Sequence, residues 1–360
     1  MSDGVEKDNA SCKIPDSTGS QWKSEILKKV LPAGSFLCVE DFTTTTDERY
    51  GTYPEKRSIE QRLSSGVVNL DKPAGPTSHQ VSAWVREMLG LEKAGHAGTL
   101  DPQVTGVLPV LLSRATSAIS ALHFGSKEYV ALMHLHHVLP EEDIRKTFAQ
   151  FKGLLYQTPP LKSAVKKRLR LRTVFELEIL QIKERFVLFR VEAEAGTYIR
   201  TLCTDIGYAL GCYAQLHELR RTRTGPFLEK DSVTLHQLKD AFSVYNEGNP
   251  TLLAKVIKPL EELLAHLPAA VIRDSAVDAI CRGAVLHAPG LLACDKRVRK
   301  GMICVLYSLK GEAVAISEAC ENAEKMTTMK KGDCFRTIRC LMKAGTYPSG
   351  WPGAKSDADE

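Results

Sequence analysis

Eight residues of this chain, Gly95-His96-Ala97-Gly98-Thr99-Leu100-Asp101-Pro102, combine the types needed to present one carboxylate for chemistry. Pro102 removes a backbone donor and disfavours helix at Asp101, so the acid is delivered in an extended conformation. The glycines let other backbone come close. A carboxylate held this way can act as a nucleophile when a cation keeps it ionised, and a planar guanidinium can do so through paired bonds. Arg200, at the start of a predicted helix, is the candidate cation. Tyr129, on a predicted strand, offers a ring that could stack on a flipped base. Each residue has a plainer alternative. Asp101 could close an Asx turn, Arg200 could pair locally with Asp205, Glu192 or Glu194, and Tyr129 could be a half-buried strand aromatic.

Other chemistries lack their residues. No Gly-rich loop ending in Lys-Ser/Thr and no G-x-G-x-x-G at a strand-to-helix turn is present, so a nucleotide cofactor has no support. The G-x-S-x-G elbow is missing as well. A phosphoryl-accepting Asp101 would want a second Asp two residues on, where the chain has Gln103. The ten cysteines are scattered with no C-x-x-C pair, which predicts reduced, structural thiols. His134-Leu135-His136-His137 has no Cys or carboxylate at ligand spacing nearby, so no metal is expected. The apolar stretches are far short of a membrane span and the N-terminus does not read as a signal peptide, so an intracellular protein without membrane contact is expected.

The chain has 360 residues, 43% of them hydrophobic and 25% charged, which is enough for two or three domains. Its net charge of +5 is modest, but the positive charge clusters. Lys162, Lys166, Lys167, Arg168, Arg170 and Arg172 form one acid-free run. Arg220, Arg221 and Arg223 form a second group, and Lys296, Arg297, Arg299 and Lys300 a third. Any one could be a solvated face; three together favour a polyanion partner.

The elements that must position these residues follow from periodicity. Residues 1–62 are polar and irregular, with Trp22, Ile26, Leu27 and Val30 spaced for one short helix, and read as an extension draped over another part of the chain. Val67–Leu70 reads as a buried strand, followed by a turn-rich loop. Thr77 or Ser78 then caps a helix whose apolar positions are Val81, Trp84, Val85, Met88 and Leu89, with Gly90 as its stop. Val107–Leu112 is a strand and 115–122 a helix. The stretch from Lys127 to His136 alternates as a strand with Tyr129, Ala131, Met133 and Leu135 on one face. A helix at 141–151, strands near 173–182 and 186–195, a helix through Ile206 and Leu210, and a strand over 215–223 complete an α+β pattern. Short apolar strands between Gly turns across about 265–347 predict a small β-rich domain, and the polar tail from Pro348 predicts disorder.

Five ordered motifs carry a resemblance. They are Gly66-Val-Val-Asn-Leu-Asp-Lys-Pro-Ala-Gly-Pro-Thr-Ser-His79, Gly95–Pro102, Lys127-Glu-Tyr129, Ala195-Gly-Thr-Tyr-Ile-Arg200 and Glu218-Leu-Arg-Arg221. Over roughly residues 60–260 the chain resembles the TruB-type pseudouridine synthases. It is most similar to their dyskerin branch, the catalytic subunits of box H/ACA ribonucleoproteins. Pro159-Pro160-Leu161-Lys-Ser-Ala-Val-Lys-Lys167, Arg223-Thr-Gly-Pro-Phe227 and PUA-like pieces at Asp274–Val277 and Pro289-Gly290 point to that branch. Cys212-Tyr213 and Thr158 depart from its usual pattern and bear on the RNA path rather than on any catalytic position.

The resemblance implies a pseudouridine synthase fold with a mixed, largely antiparallel central sheet and flanking helices, plus a PUA-like domain. The implied divisions are an extension over 1–62, a catalytic domain over 63–264, the PUA-like domain over 265–347 and a tail over 348–360. It implies that Asp101 attacks the target uridine, Tyr129 stacks on the flipped base and assists proton removal, Arg200 pairs with the carboxylate, and Leu219 walls the pocket. No cofactor and no metal are implied. Lys72, His96, Lys162, Lys166, Lys167, Arg168, Arg220 and Arg221 are the expected RNA-binding residues. Expected partners are an H/ACA guide RNA, ribosomal and small nuclear substrate RNAs, and small H/ACA core proteins. The expected setting is ribosome biogenesis in the nucleus and nucleolus; the Lys-rich tail of many eukaryotic members is missing, so nuclear entry would use a partner or another signal, for which Lys166-Lys167-Arg168 with Arg170 and Arg172 could serve, in competition with an RNA-contacting role. The alternatives are a stand-alone synthase for transfer RNA and a non-catalytic H/ACA RNA scaffold.

Overall fold

A computed structural model describes residues 36–39, 46–123, 125–158 and 168–349. The chain divides into two compact units. One is Ser58–His266; the other combines the segment before it with the segment from Leu267 onward. The expected short helix at Trp22–Val30 lies outside the described residues. So does the tail beyond Ser349. The first unit begins a few residues before the expected boundary because the helix Ile59–Ser65 buries Ile59 in its core. It runs slightly past the expected end because His266 Nε2 lies 3.0 Å from the Ala121 carbonyl oxygen.

The first unit is built on a ten-stranded sheet. Its main path runs Ile257–Pro259, Gly66–Lys72, Thr105–Leu112, Ala214–Thr224, Lys127–Leu135, Phe186–Ala193, Arg170–Lys183, Gly153–Gln157. Neighbours on this path are antiparallel except Thr105–Leu112 beside Ala214–Thr224, which gives the mixed, largely antiparallel sheet expected of this sequence. Strand alternation holds over Lys127–Leu135, where Lys127, Tyr129, Ala131, Met133 and Leu135 are buried on one face. At the parallel pairing Gly106 sits opposite Arg221 with φ +103, and a Cβ there would lie 2.2 Å from the Arg221 carbonyl oxygen. Only glycine lets these two strands meet.

The helix Ser78–Met88 opens with a capping box in which Thr77 and Gln80 satisfy each other's backbone donors, and Gly90 follows its end at φ +62. Val81, Val85 and Leu89 face the core. Trp84, expected among them, is 44% exposed because it stands at the edge of that stripe. The helix expected at 115–122 is a 3-10 helix, Ser113–His123. Its buried Ala115, Ala118 and Ala121 recur every third residue, the period of a 3-10 turn rather than an α-turn.

The second unit carries a seven-stranded sheet ordered Phe36–Cys38, Leu291–Asp295, Ala269–Ile272, Ile303–Tyr307, Ala313–Ala319, Asp333–Cys340, Leu286–His287. The leading segment is woven into it. Phe36–Cys38 pairs with Leu291–Asp295, Thr46 donates to Asp274 at 2.7 Å, and the Thr52 amide donates to Glu312 at 2.8 Å. Buried Lys310 donates to the carbonyls of Tyr50 and Asp47 at 2.6 and 3.1 Å. Among the described residues, the segment from Phe36 to Arg57 therefore adds an edge strand and buried polar contacts to this unit.

Candidate active site

The loop that carries Asp101 is fixed from beneath while its carboxylate stays in solvent. Buried Ser78, on the first turn of its helix, accepts from the Leu100 amide at 2.9 Å and donates to the Leu100 carbonyl at 3.0 Å. Lys72 reaches up from the Gly66–Lys72 strand and donates to the carbonyls of Pro73, Pro102 and Val104 at 2.8, 2.9 and 2.9 Å. The Gly75 amide adds a second bond to Pro102 at 2.9 Å. Leu100 and Val104 are buried in the core on either side of Asp101. The two residues that bracket the acid are thus held by hydrogen bonds and packing, which is how a loop presents a side chain without strain at the side chain itself.

Arg200 is the second residue of the helix Ile199–Ala209, whose N-cap, Tyr198, has no side-chain cap bond. Buried Gln157 supplies the missing order: it accepts from the Tyr198 amide at 3.0 Å and donates to the Tyr198 carbonyl at 3.3 Å. A cation at a helix N-terminus is electrostatically misplaced. It is compensated by an ion pair between Arg200 Nη2 and Asp101 Oδ2. Of the local alternatives, Glu192 pairs with Arg223 at 2.6 Å and Glu194 with Arg172 at 3.2 Å, and no ion pair joins Arg200 to Asp205 among the described residues. Asp101 is the acid that Arg200 meets.

These two residues line a cleft of about 1200 Å³ together with Leu219, Val130, Leu132 and Arg220. Leu219 stands opposite Ala131 in the neighbouring strand and packs partly into the core. Tyr129 lies lower. It is 8% exposed, faces the core with Ala131, and does not line the cleft. Its partner across the strands is Arg221, whose guanidinium interacts favourably with the phenol.

The expected RNA-binding residues divide sharply. Lys72 and Arg221 are corrections: both are buried, and their donors are spent on carbonyls inside the unit, so neither faces an RNA phosphate. Arg220 lines the cleft but is paired with Asp71 at 2.9 Å and with Glu229. His96 is partly buried, edge-on to His79 at 4.7 Å, and its Nδ1 is buried without a hydrogen-bond partner. Burial, with His79 and Arg221 nearby, lowers its pKa to about 4, so it is neutral at physiological pH. Arg168 is exposed at the foot of the Arg170–Lys183 strand. Lys162, Lys166 and Lys167 lie outside the described residues. Two of the four cations in the third basic group are paired with acids, Arg297 with Asp295 at 2.6 Å and Arg299 with Glu324 at 3.4 Å.

Sequence reasoning missed Ser78, Gln157 and Lys127. The first two look like ordinary polar residues, but strand alternation placed Lys127 on the buried face of Tyr129, which was a usable signal. Its burial pulls its pKa down to about 8.

Comparison with known proteins places this geometry. Residues 86–199 match the "TruB family pseudouridylate synthase (N terminal domain)" and residues 200–265 the "tRNA pseudouridylate synthase B C-terminal domain". Residues 40–82 match the "DKCLD (NUC011) domain" and 268–341 the "PUA domain". The chain is 51% identical over 307 residues to the "Probable tRNA pseudouridine synthase B" of Methanosarcina barkeri, covering 85% of this chain and 91% of that one. To the protein of the same name from Methanocaldococcus jannaschii it is 49% identical over 329 residues, covering 91% and 97%. Among solved structures, an H/ACA RNP bound to a substrate RNA containing 2'-deoxyuridine matches with TM-score 0.82 and 44% identity, covering 88% of this chain and 97% of that one. A Cbf5-Nop10-Gar1 complex matches with TM-score 0.83 and 46% identity, covering 87% and 95%.

Proposed function

The chain belongs to the TruB family of pseudouridine synthases, and from that premise we propose that it isomerises uridine to pseudouridine as the guide-dependent catalytic subunit of an H/ACA ribonucleoprotein. The observation that carries this reading is the solvent-facing ion pair of Asp101 and Arg200 on a rigid loop at the cleft. Asp101 is the nucleophile that engages the target nucleoside while its N-glycosidic bond breaks. The freed uracil rotates and rejoins the sugar through carbon; the proton lost from that carbon and the one gained at nitrogen leave the composition unchanged. Arg200 orients the carboxylate and Leu219 limits the apolar side of the pocket; Tyr129 is assigned the contact with the base and the proton step, which requires the flipped base to reach its buried ring beside the cleft. None of these steps calls for a cofactor.

The solved structures it resembles, by their descriptions, contain substrate RNA, Nop10 and Gar1. We assign this chain equivalent partners: a guide RNA, a substrate RNA of ribosomal or small nuclear type, and small core proteins. The PUA domain would hold the guide. On this reading the protein acts in the nucleus and nucleolus, in ribosome biogenesis, with the basic run Lys166-Lys167-Arg168 as a candidate entry signal. A second reading, a stand-alone transfer RNA synthase, is favoured by the names of the archaeal relatives. A scaffold without catalysis fits poorly, because an exposed Asp–Arg pair serves no packing purpose.

The deciding experiment is pseudouridine mapping in reconstituted guide particles, wild type against Asp101→Asn. Product should vanish while RNA binding survives, because the substitution keeps size and removes the nucleophilic charge. Product formed by the variant would sink the mechanism. Efficient modification of a transfer RNA by the purified chain alone would transfer the assignment to the second reading.

A further inference from the structure

We infer that Arg221 is a positioning residue that couples Tyr129 to the loop carrying Asp101. The guanidinium is 1% exposed and sits at the meeting point of three strands. Its Nε donates to the Val107 carbonyl at 2.7 Å, and Nη2 donates to the Gly98 carbonyl at 2.8 Å, three residues before Asp101. Tyr129 stands directly opposite Arg221 in the neighbouring antiparallel strand, and phenol and guanidinium attract one another. One rigid, planar group therefore ties the loop and the strand after it to the strand position that faces Tyr129.

The neighbouring Arg220 shows what is unusual here. It faces the cleft, is partly exposed and pairs with two carboxylates. Arg221 faces inward; its side-chain hydrogen bonds run to two carbonyls, and its cross-strand neighbour is a tyrosine. Burying a guanidinium without an acid is costly, and an apolar side chain of similar volume would hold the strands together more cheaply. The fork geometry is what an apolar residue cannot reproduce. Gly98 is adapted to it: its φ is +75, and a Cβ there would lie 3.2 Å from Arg221 Nη1. Burial depresses the pKa of Arg221, yet its carbonyl partners suit a charged donor.

The inference rests on the proposed roles of Asp101 and Tyr129, and its test separates failure of those roles from failure of the coupling. Single-turnover rate and RNA affinity are measured in reconstituted particles for Arg221→Gln, Arg221→Lys, Tyr129→Phe and the Arg221→Gln/Tyr129→Phe double variant. Arg221→Gln should slow the saturated rate by about 10²-fold with RNA affinity unchanged, and Arg221→Lys should recover part of the loss. The double variant should fall no more than about 3-fold below its slower parent, as expected for two groups acting as one unit. Multiplying losses, or RNA affinity falling in step with rate, would overturn the coupling. So would loss of the fold in both Arg221 variants while Tyr129→Phe stays folded, which would make Arg221 a scaffold residue. A wild-type rate in Tyr129→Phe would instead overturn the role given to Tyr129, and the coupling with it.

Discussion

Arg200 and Asp101 are joined across 99 residues of sequence by an ion pair whose two side chains remain 45% and 56% exposed. Exposed pairs contribute about 0–1 kcal/mol to stability, so this one is not there to hold the fold. Arg200→Ala should therefore leave the thermal midpoint nearly unchanged while lowering the turnover rate by at least about 10²-fold through loss of carboxylate orientation. Differential scanning calorimetry and single-turnover kinetics on the same preparation check both halves. A fall in stability of several kcal/mol would recast Arg200 as structural.

Much of this site was legible in the sequence, and the failures have a common cause. Asp101 and its loop, Arg200 at a helix start and Tyr129 on an alternating strand followed from local pattern. Charge then misled where burial prevailed. Lys72 ends a strand buried on both faces, which the apolar run Val67–Leu70 already announced, whereas bulges in the pairing of Ala214–Thr224 hide which face Arg221 takes. Their positive charge argued for RNA, but the carbonyls that satisfy them come from as far as 32 and 123 residues away. Arg220 was open to the same error, because its partner Asp71 is 149 residues distant. What the sequence concealed was the pairing, which only tertiary structure supplies.

His96 gives the site a pH signature. Its folded pKa of about 4 lies below the ordinary value of 6.5, so between these values the unfolded chain binds a proton that the folded chain refuses. Stability contributed by neutral His96 is thus complete above about pH 6.5 and is lost as pH falls toward 4. Urea denaturation across this window should show a shallower loss for His96→Asn than for wild type. Parallel curves would mean that the buried imidazole takes up its proton freely.

Lys72 and Lys127 are both buried beneath the Asp101 loop, yet their removal should have opposite effects. Lys72 satisfies three carbonyls at 2.8–2.9 Å, two of them in the loop itself. Lys72→Met would strand those acceptors and should cost about 2–4 kcal/mol, with activity falling as the loop loosens. Lys127 has one long contact, 3.4 Å to the Leu122 carbonyl, and its pKa of about 8 records a charge that burial and Arg221 both disfavour. Below pH 8 the folded state bears that full penalty; between about 8 and 10.5 it is relieved as the folded amine sheds its proton before the unfolded one does. Lys127→Met should therefore raise stability at pH 7 by about 1–3 kcal/mol, and the advantage should shrink as pH rises through that window. Denaturation of both variants at pH 7 and pH 10 tests the pair. If Lys127→Met is destabilised at both pH values, the ammonium has a partner that matters more than its burial.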